Sequence, residues 1–146
     1  LRCLVGSEMC IRDREKGVDL SRTKQIEMKE YFYNMPTLMA AADVMISRAG
    51  ASTCNEIAAA GLPCILIPSP NVTNNHQEKN ARVLEARKGA VVLLEKDCTA
   101  QALYAQIQSL LADPQRRAEM GRNLHEMVTL DSTERICDII EQLVKG

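Results

Sequence analysis

The segment Ser47–Glu56, SRAGASTCNE, has the residue types and order of an anion-binding loop. Gly50 and the small side chains around it let a ligand approach the backbone. A helix that starts here would present free N–H groups and the positive end of its dipole, both of which attract phosphate. The hydroxyls of Ser52 and Thr53 can add hydrogen bonds, and a carboxylate at Glu56 can accept two from a ribose diol. The segment therefore predicts a phosphate- and sugar-binding loop.

The same loop has an interpretation that needs no ligand. Thr53 and Glu56 have the spacing of a capping box, which satisfies backbone N–H groups where a helix begins. The segment also lacks both the G-K-[ST] of a P-loop and the G-x-G-x-x-G of a dinucleotide fold. Arg48 is either a cation near phosphate or an exposed charge. The local sequence leaves these alternatives open.

A second polar segment, Pro68–Asn80, reads PSPNVTNNHQEKN. His76 and Asn80 share one face of the helix predicted to start here, and Gln77 lies beside them. Neutral donors and acceptors of this kind suit sugar hydroxyls, which need paired, directional hydrogen bonds. The alternative is that residues 74–76 simply cap a solvated helix.

The elements that must position these loops alternate regularly along the chain. Strands are predicted over residues 26–32, 43–47, 64–70 and 90–95, and helices over 35–42, 53–61, 76–89, 99–112, from 114 and from 131. Gly61 and Gly89 are expected to end two helices, and Tyr31 and Val83 to point inward. This order predicts an α/β fold, a Rossmann-like parallel sheet with helices on both faces and a helical C-terminal tail. Both polar loops would follow the carboxyl ends of strands, where such sheets bind ligands.

Composition narrows the class of protein. The 146 residues suffice for one domain with a core, and the net charge of -1 argues against nucleic acid as a partner. No apolar run approaches the roughly 20 residues that span a bilayer, and no signal peptide is visible. The six cysteines form no C-x-x-C pair and match no zinc spacing, which predicts reduced thiols in a cytosol.

The string ISRAGASTCNEIAAAGLPCILIPSPNVTNNHQEKNA resembles the C-terminal half of the MurG family of bacterial N-acetylglucosaminyltransferases. The resemblance rests on S-R-A-G-A-x-T-x-x-E, G-x-P-x-I-L-I-P and H-Q-x-x-N-A, and it extends from about Ile26 to the C-terminus. It implies a truncated C-terminal half of a GT-B glycosyltransferase, in which two Rossmann-like domains flank a cleft. The implied reaction transfers N-acetylglucosamine from UDP-N-acetylglucosamine (UDP-GlcNAc) to lipid I, forming lipid II in peptidoglycan synthesis.

The resemblance also implies which residues bind the UDP-GlcNAc donor. Glu56 would hold the ribose hydroxyls, and the residues from Ala51 to Thr53 would contact the sugar and diphosphate. His76, Gln77 and Asn80 would bind the N-acetylglucosamine hydroxyls. The full set of expected donor-binding residues is Gly50, Ala51, Ser52, Thr53, Glu56, His76, Gln77 and Asn80.

The family's N-terminal domain, which binds lipid I and holds the candidate catalytic base, has no counterpart in this sequence. We therefore expect no catalytic residue here and no turnover by the chain alone. The resemblance implies no essential metal or cofactor, no nucleic-acid partner, and a cytoplasmic enzyme peripheral on the inner face of the cell membrane. The alternative is a non-catalytic accessory domain that binds a nucleotide sugar and works with a separate subunit.

The opening of the chain follows neither the fold pattern nor the family pattern. Leu4–Arg14, LVGSEMCIRDR, resembles the translation of a sequencing-library transposon adapter. We predict that residues 1–14 are non-native, that the partial donor-binding domain covers residues 15–146, and that residues 1–14 take no part in the sheet. The alternative is a genuine but divergent N-terminal segment.

Overall fold

A computed structural model describes residues 3–5, 31–129 and 131–145 of the chain. Its sheet has four parallel strands in chain order: β1 (Cys3–Val5), β2 (Val44–Ser47), β3 (Cys64–Leu66) and β4 (Ala90–Val92). The helices of the described residues are α1 (Met35–Ala41), α2 (Ala51–Ala60), α3 (His76–Ala86), α4 (Ala100–Ala112), α5 (Pro114–His125) and α6 (Ser132–Lys145). Short 3-10 turns, Thr73–Asn75 and Glu95–Asp97, lie in the segments after β3 and β4.

The register of the sheet brings the two polar loops to one edge. Ser47, Leu66 and Val92 are in register across β2, β3 and β4. The chain therefore leaves all three strands at the same carboxyl edge, which is the ligand-binding edge of a parallel α/β sheet. The predicted α/β class and parallel pairing are confirmed.

Two apolar clusters cover the two faces of the sheet. The first lies under α1, α2 and α3 and is centred on fully buried residues such as Ile57 and Cys64. The second lies under α4 and α5 and contains Ile65 and Leu110, both with no exposed surface. Helices on both faces, as predicted, explain why β3 has three buried residues in succession rather than an alternating pattern.

Three details of the sequence prediction are wrong. Helix α2 begins at Ala51, not Thr53. Val83 is 56% exposed and does not share the buried side of α3 with Ala81 and Leu84, which are buried as predicted. Lys88, not Gly89, has the left-handed backbone after α3, with φ of 56°. Gly89 is instead needed for packing, since a Cβ there would lie 2.6 Å from the Leu124 side chain.

The strand predicted over residues 26–32 is not found where it can be checked. Tyr31 and Phe32 are outside any strand, and Tyr31 is 66% exposed rather than inward. Residues 26–30 of that prediction lie outside the described residues.

Strand β1 contradicts the expectation that the opening of the chain takes no part in the sheet. Cys3, Leu4 and Val5 pair in parallel with Val44, Met45 and Ile46 of β2. An unpaired strand edge offers a row of backbone N–H and C=O groups to any extended segment. Because such pairing selects conformation rather than a particular sequence, the adapter origin of Leu4–Arg14 stays a prediction.

Candidate functional site

Helix α2 starts as a polar N-terminus without a side-chain cap. Its N-cap, Gly50, is extended, and the first intrahelical bond runs from the Cys54 N–H to the Gly50 carbonyl at 2.9 Å. No side chain of the described residues caps this end, so the N–H groups of Ala51, Ser52 and Thr53 precede that bond without a cap. The predicted capping box is therefore wrong. Since Ala51 and Ser52 are already helical, Thr53 falls within the first turn, where it cannot serve as N-cap.

Glu56 lines two neighbouring cavities. One is a groove of about 690 Å³ between α2 and α3, and the other is a mainly apolar cavity of about 380 Å³ between α1 and α2. The Glu56 side chain is exposed. With no capping role to fill, its carboxylate is open to a ligand that enters either cavity.

The groove between α2 and α3 brings together three of the predicted site residues, Ala51, Glu56 and Asn80. Gly50, Ser52, Thr53, His76 and Gln77 do not line it. Asn55 and the segment after α5 complete the wall, and the sequence analysis missed both. The lining residues of that segment are Met127, Val128, Thr129 and Ser132. No sequence signal links them to a loop some 70 positions earlier, because only tertiary folding brings them together.

Helix α3 follows two consecutive left-handed residues. Asn74 and Asn75 have φ of 55° and 51°, a conformation that asparagine tolerates better than most residues. The Asn75 side chain donates to a Glu78 oxygen at 2.7 Å, and this bond is the main reason that the pKa of Glu78 is lowered, with Arg82 adding to it. Asn75 is the N-cap residue of α3, within the range that the capping alternative named, but no side chain among the described residues makes a capping hydrogen bond there.

The His76 ring is oriented by the turn that precedes it. Its Nδ1 lies 2.9 Å from the Thr73 carbonyl oxygen, which can only accept a hydrogen bond. In the neutral ring the proton is thereby assigned to Nδ1, and Nε2 remains an acceptor. His76 thus offers one acceptor to a hydroxyl group.

Gln77 and Asn80 each use one end of the side-chain amide inside the protein. The Gln77 Oε1 accepts from the Ser69 N–H at 2.9 Å, and the Asn80 Nδ2 donates to the Ala49 carbonyl at 3.1 Å. The remaining capacity is the Nε2 donors of Gln77 and the Oδ1 acceptor of Asn80. These two amides tie the start of α3 to both loops at the carboxyl edge of the sheet.

Arg48 is engaged with protein groups. Its guanidinium donates to the Ile67 carbonyl at 3.1 Å and to a Glu95 oxygen at 2.6 Å. The Arg48 side chain is 49% exposed, as the exposed-charge alternative expects, and its charge is also paired with Glu95. A role near phosphate stays a prediction. Glu95 had drawn no attention in the sequence, because it lies 47 positions from Arg48.

Two cysteines lie beneath the site. Cys54 lines the groove between α2 and α3, and burial raises the pKa of its thiol. Burial, with a smaller contribution from Cys54, raises the pKa of Cys64 to about 12. Both thiols are free and protonated at neutral pH.

The described residues contain no group of three or more His, Cys, Asp or Glu side chains arranged to hold a metal ion. The helices within them are also too short or too polar to cross a bilayer.

Comparison with known proteins fits this geometry. The profile of the Glycosyltransferase family 28 C-terminal domain matches residues 5–143. This chain belongs to that family. The solved structure of Acinetobacter baumannii MurG has 25% sequence identity and a TM-score of 0.77, over 94% of this chain and 39% of the other. The glycosyltransferase VinC, solved with dTDP, has 19% identity and a TM-score of 0.73, a likeness of fold.

Similar sequences in this family share one name, UDP-N-acetylglucosamine--N-acetylmuramyl-(pentapeptide) pyrophosphoryl-undecaprenol N-acetylglucosamine transferase. The Acetivibrio thermocellus protein is 44% identical over 131 residues, which cover 90% of this chain and 36% of that protein. The Bacillus cytotoxicus protein is 39% identical over 132 residues, covering 90% and 35%. The family 28 chain therefore spans about a third of the length of these relatives.

Proposed function

We propose that this chain is the donor-binding part of a glycosyltransferase that transfers N-acetylglucosamine from UDP-GlcNAc to lipid I. The observation that carries the proposal is the meeting of two elements at the carboxyl edge of the sheet. The loop that leads into the uncapped start of α2 and the N-terminal half of α3 are joined there by the Asn80–Ala49 hydrogen bond. Family membership and the names of the relatives supply the choice of sugar and acceptor.

The uncapped α2 N-terminus suits the diphosphate of the donor. Backbone N–H groups and the helix dipole attract anionic oxygens, and the small side chains of Ala51 and Ser52 permit close approach. Glu56, farther along α2 and free of any capping role, suits a ribose diol, because the two oxygens of one carboxylate can accept hydrogen bonds from both hydroxyl groups. Gly50 and Thr53 belong to the same loop, and Thr53 can add its hydroxyl.

The start of α3 suits the transferred sugar. His76 Nε2 and Asn80 Oδ1 are acceptors, and Gln77 Nε2 is a donor, so the set complements hydroxyl groups that act both ways. This part of the proposal rests on the hydrogen-bonding capacity left after the internal bonds are counted.

In the proposed reaction an acceptor hydroxyl oxygen bonds to C1 of N-acetylglucosamine while the bond from C1 to the diphosphate oxygen breaks. Negative charge develops on the departing UDP. The N–H groups and dipole of α2 would stabilise this charge without reorganisation. The acceptor proton passes to a base outside this chain, in the N-terminal domain of the longer enzyme.

We further propose that the longer enzyme binds lipid I through that N-terminal domain and works on the cytoplasmic face of the bacterial membrane. Neither a metal nor an organic cofactor is assigned a role in this mechanism. A purely accessory domain that binds a nucleotide sugar is the second candidate, since the chain spans only 36% of the Acetivibrio relative.

A completed enzyme tests the proposal. This completed enzyme is a chimera. It joins the N-terminal part of the Acetivibrio transferase to residues 31–146 of this chain, which replace the matching C-terminal part. We expect transfer of N-acetylglucosamine from UDP-GlcNAc to a lipid I analogue, with kcat within about tenfold of the parent transferase.

A cooperative thermal transition shows whether the completed enzyme is folded. A folded enzyme that binds UDP-GlcNAc without transfer would favour the accessory domain. A folded enzyme that shows no UDP-GlcNAc binding would refute the donor site itself.

A further inference from the structure

Arg48 belongs to a closed circuit of hydrogen bonds around the proposed donor site. It donates to the Ile67 carbonyl at 3.1 Å, and two residues later the Ser69 N–H donates to Gln77 at 2.9 Å. Gln77 lies one helical turn from Asn80, whose amide donates to Ala49 at 3.1 Å. Ala49 follows Arg48 directly in the chain, so these hydrogen bonds form a ring that begins and ends at the loop after β2. We call these three hydrogen bonds, together with the Arg48–Glu95 ion pair, the loop brace.

The loop brace joins three parts of the carboxyl edge. Arg48 follows β2, Ile67 follows β3, and Glu95 lies in the 3-10 turn after β4. Since Glu95 holds the guanidinium at 2.6 Å, it fixes the direction in which Arg48 reaches the Ile67 carbonyl. Together with the backbone bond from the Ile67 N–H to the Ser47 carbonyl at 2.9 Å, the brace restricts the distance between the loop that begins α2 and the loop that leads to α3.

The ion pair has little value for stability alone. The Arg48 and Glu95 side chains are 49% and 44% exposed, and exposed ion pairs contribute little to folding. Its position is more informative. The ion pair holds Arg48, which is one member of the loop brace. Two other members, Gln77 and Asn80, are residues proposed to bind the sugar.

We propose that Arg48, held by Glu95, is a positioning residue for donor binding. It acts through the Ile67 carbonyl and the Ser69–Gln77 bond, with no contact to the donor. This inference rests on the proposed function and adds two residues to it. Without the guanidinium, the segment after β3 keeps the bond from the Ile67 N–H to the Ser47 carbonyl at 2.9 Å but loses its side-chain bond to Arg48. The Ser69 N–H, two residues farther on, is then held less firmly against Gln77.

The test compares Arg48→Met with Arg82→Met in the completed enzyme. Arg82 is a matched control, because it is 47% exposed and paired with glutamates on α3, outside the loop brace. We expect Arg48→Met to raise the KM for UDP-GlcNAc about tenfold, since small displacements of binding groups have effects of this order. We expect kcat and the melting temperature to change little. Arg48→Lys, which keeps a charged donor, should recover most of the lost affinity.

Amide hydrogen exchange of the 146-residue chain gives a second measurement that needs no catalysis. The Ser69 amide should exchange about tenfold faster in Arg48→Met, while Arg82→Met leaves it unchanged. An unchanged KM in Arg48→Met, or equal effects of both substitutions, would overturn the inference. If the unsubstituted completed enzyme binds no UDP-GlcNAc, the proposed function fails. In that case the Ser69 exchange rate still tests whether Arg48 orders the segment after β3.

Discussion

Among the residues proposed to bind the donor, side chains differ in how much hydrogen-bonding capacity remains for a ligand. Gln77 and Asn80 each spend one end of an amide on the backbone of a neighbouring loop. His76 spends Nδ1 on Thr73. Glu56 carries an exposed carboxylate that the capping-box interpretation would have used at the helix start. The same residue types thus act both as braces and as proposed ligand contacts.

Glu56 provides the sharpest prediction at this scale. In the completed enzyme, Glu56→Ala should weaken UDP-GlcNAc binding by about 10- to 100-fold, the value of one or two hydrogen bonds to a charged group. The free energy of unfolding should change by less than about 0.5 kcal/mol, as for an ordinary exposed position. Isothermal titration and thermal melts of the same sample measure both. Unchanged affinity with a clear loss of stability would restore the capping box.

Burial of Cys64 leads us to expect that the free energy of unfolding decreases at alkaline pH. Its pKa is about 12 in the folded chain against a reference of 9.0, so the unfolded chain loses this proton first as the pH rises. Stability from this group is therefore complete below pH 9 and falls by about 1.4 kcal/mol per pH unit between pH 9 and 12.

Urea unfolding between pH 8 and 11 measures this slope for the parent chain and for Cys64→Ala. Other groups titrate in the same range, so the difference between the two slopes is the quantity that counts. Identical slopes would contradict the assignment to Cys64.

At the scale of elements, α5 packs unusually close to the end of α2. A Cβ on Gly121 would lie 2.7 Å from the carbonyl oxygen of Gly61. Gly61 itself ends α2 in the left-handed region, with φ of 59°, as the sequence predicted. The two glycines permit backbone contact between helices, which holds α5 over the edge of the first apolar cluster.

Replacing Gly121 with alanine sets two effects against each other. Alanine should gain up to about 1 kcal/mol of helix propensity, while relieving the contact with Gly61 should cost about 1–3 kcal/mol. We expect Gly121→Ala to lower the free energy of unfolding by about 1 kcal/mol in urea titrations. Gln115→Ala, at an exposed position of α5, should change it by less than about 0.5 kcal/mol. A stabilised Gly121→Ala would show that the two helices separate easily.

At the scale of the whole molecule, the last helix leaves a large apolar surface uncovered. Helix α6 buries none of its residues and exposes a row of large apolar side chains: Ile136, Ile139, Ile140, Leu143 and Val144. The relatives that match this chain are much longer, since the matched residues cover 36% of the first and 37% of the second. The proposed acceptor site and catalytic base belong to the part that this chain does not span.

We therefore expect the purified 146-residue chain to transfer no N-acetylglucosamine and to bind UDP-GlcNAc only weakly. The physical reason is that, in the proposed enzyme, another domain would supply both one wall of the reaction cleft and the proton acceptor. A radiolabelled-donor assay with a lipid I analogue provides the measurement, and the completed enzyme is its positive control. Measurable transfer by the chain alone would contradict this prediction.

The sequence by itself determined the order of elements, the parallel sheet and the two loops at its carboxyl edge. These follow from local signals: apolar runs give strands, Gly61 ends α2, and α5 begins at Pro114 after Asp113, whose side chain caps it. The family motifs determined which residues of the loops to consider. Each of these signals lies within a few consecutive residues, where local interactions decide the conformation.

The tertiary structure alone decided how those residues are used. It began α2 two residues before the capping box, joined Arg48 to Glu95, and placed Met127 and Val128 on the wall beside Glu56. It also paired Cys3–Val5 with β2. These contacts join residues that are far apart in the chain, and their energies depend on distances that no local pattern encodes. For that reason the position of the two loops in the fold was predictable from the sequence, while the hydrogen bonds between them were not.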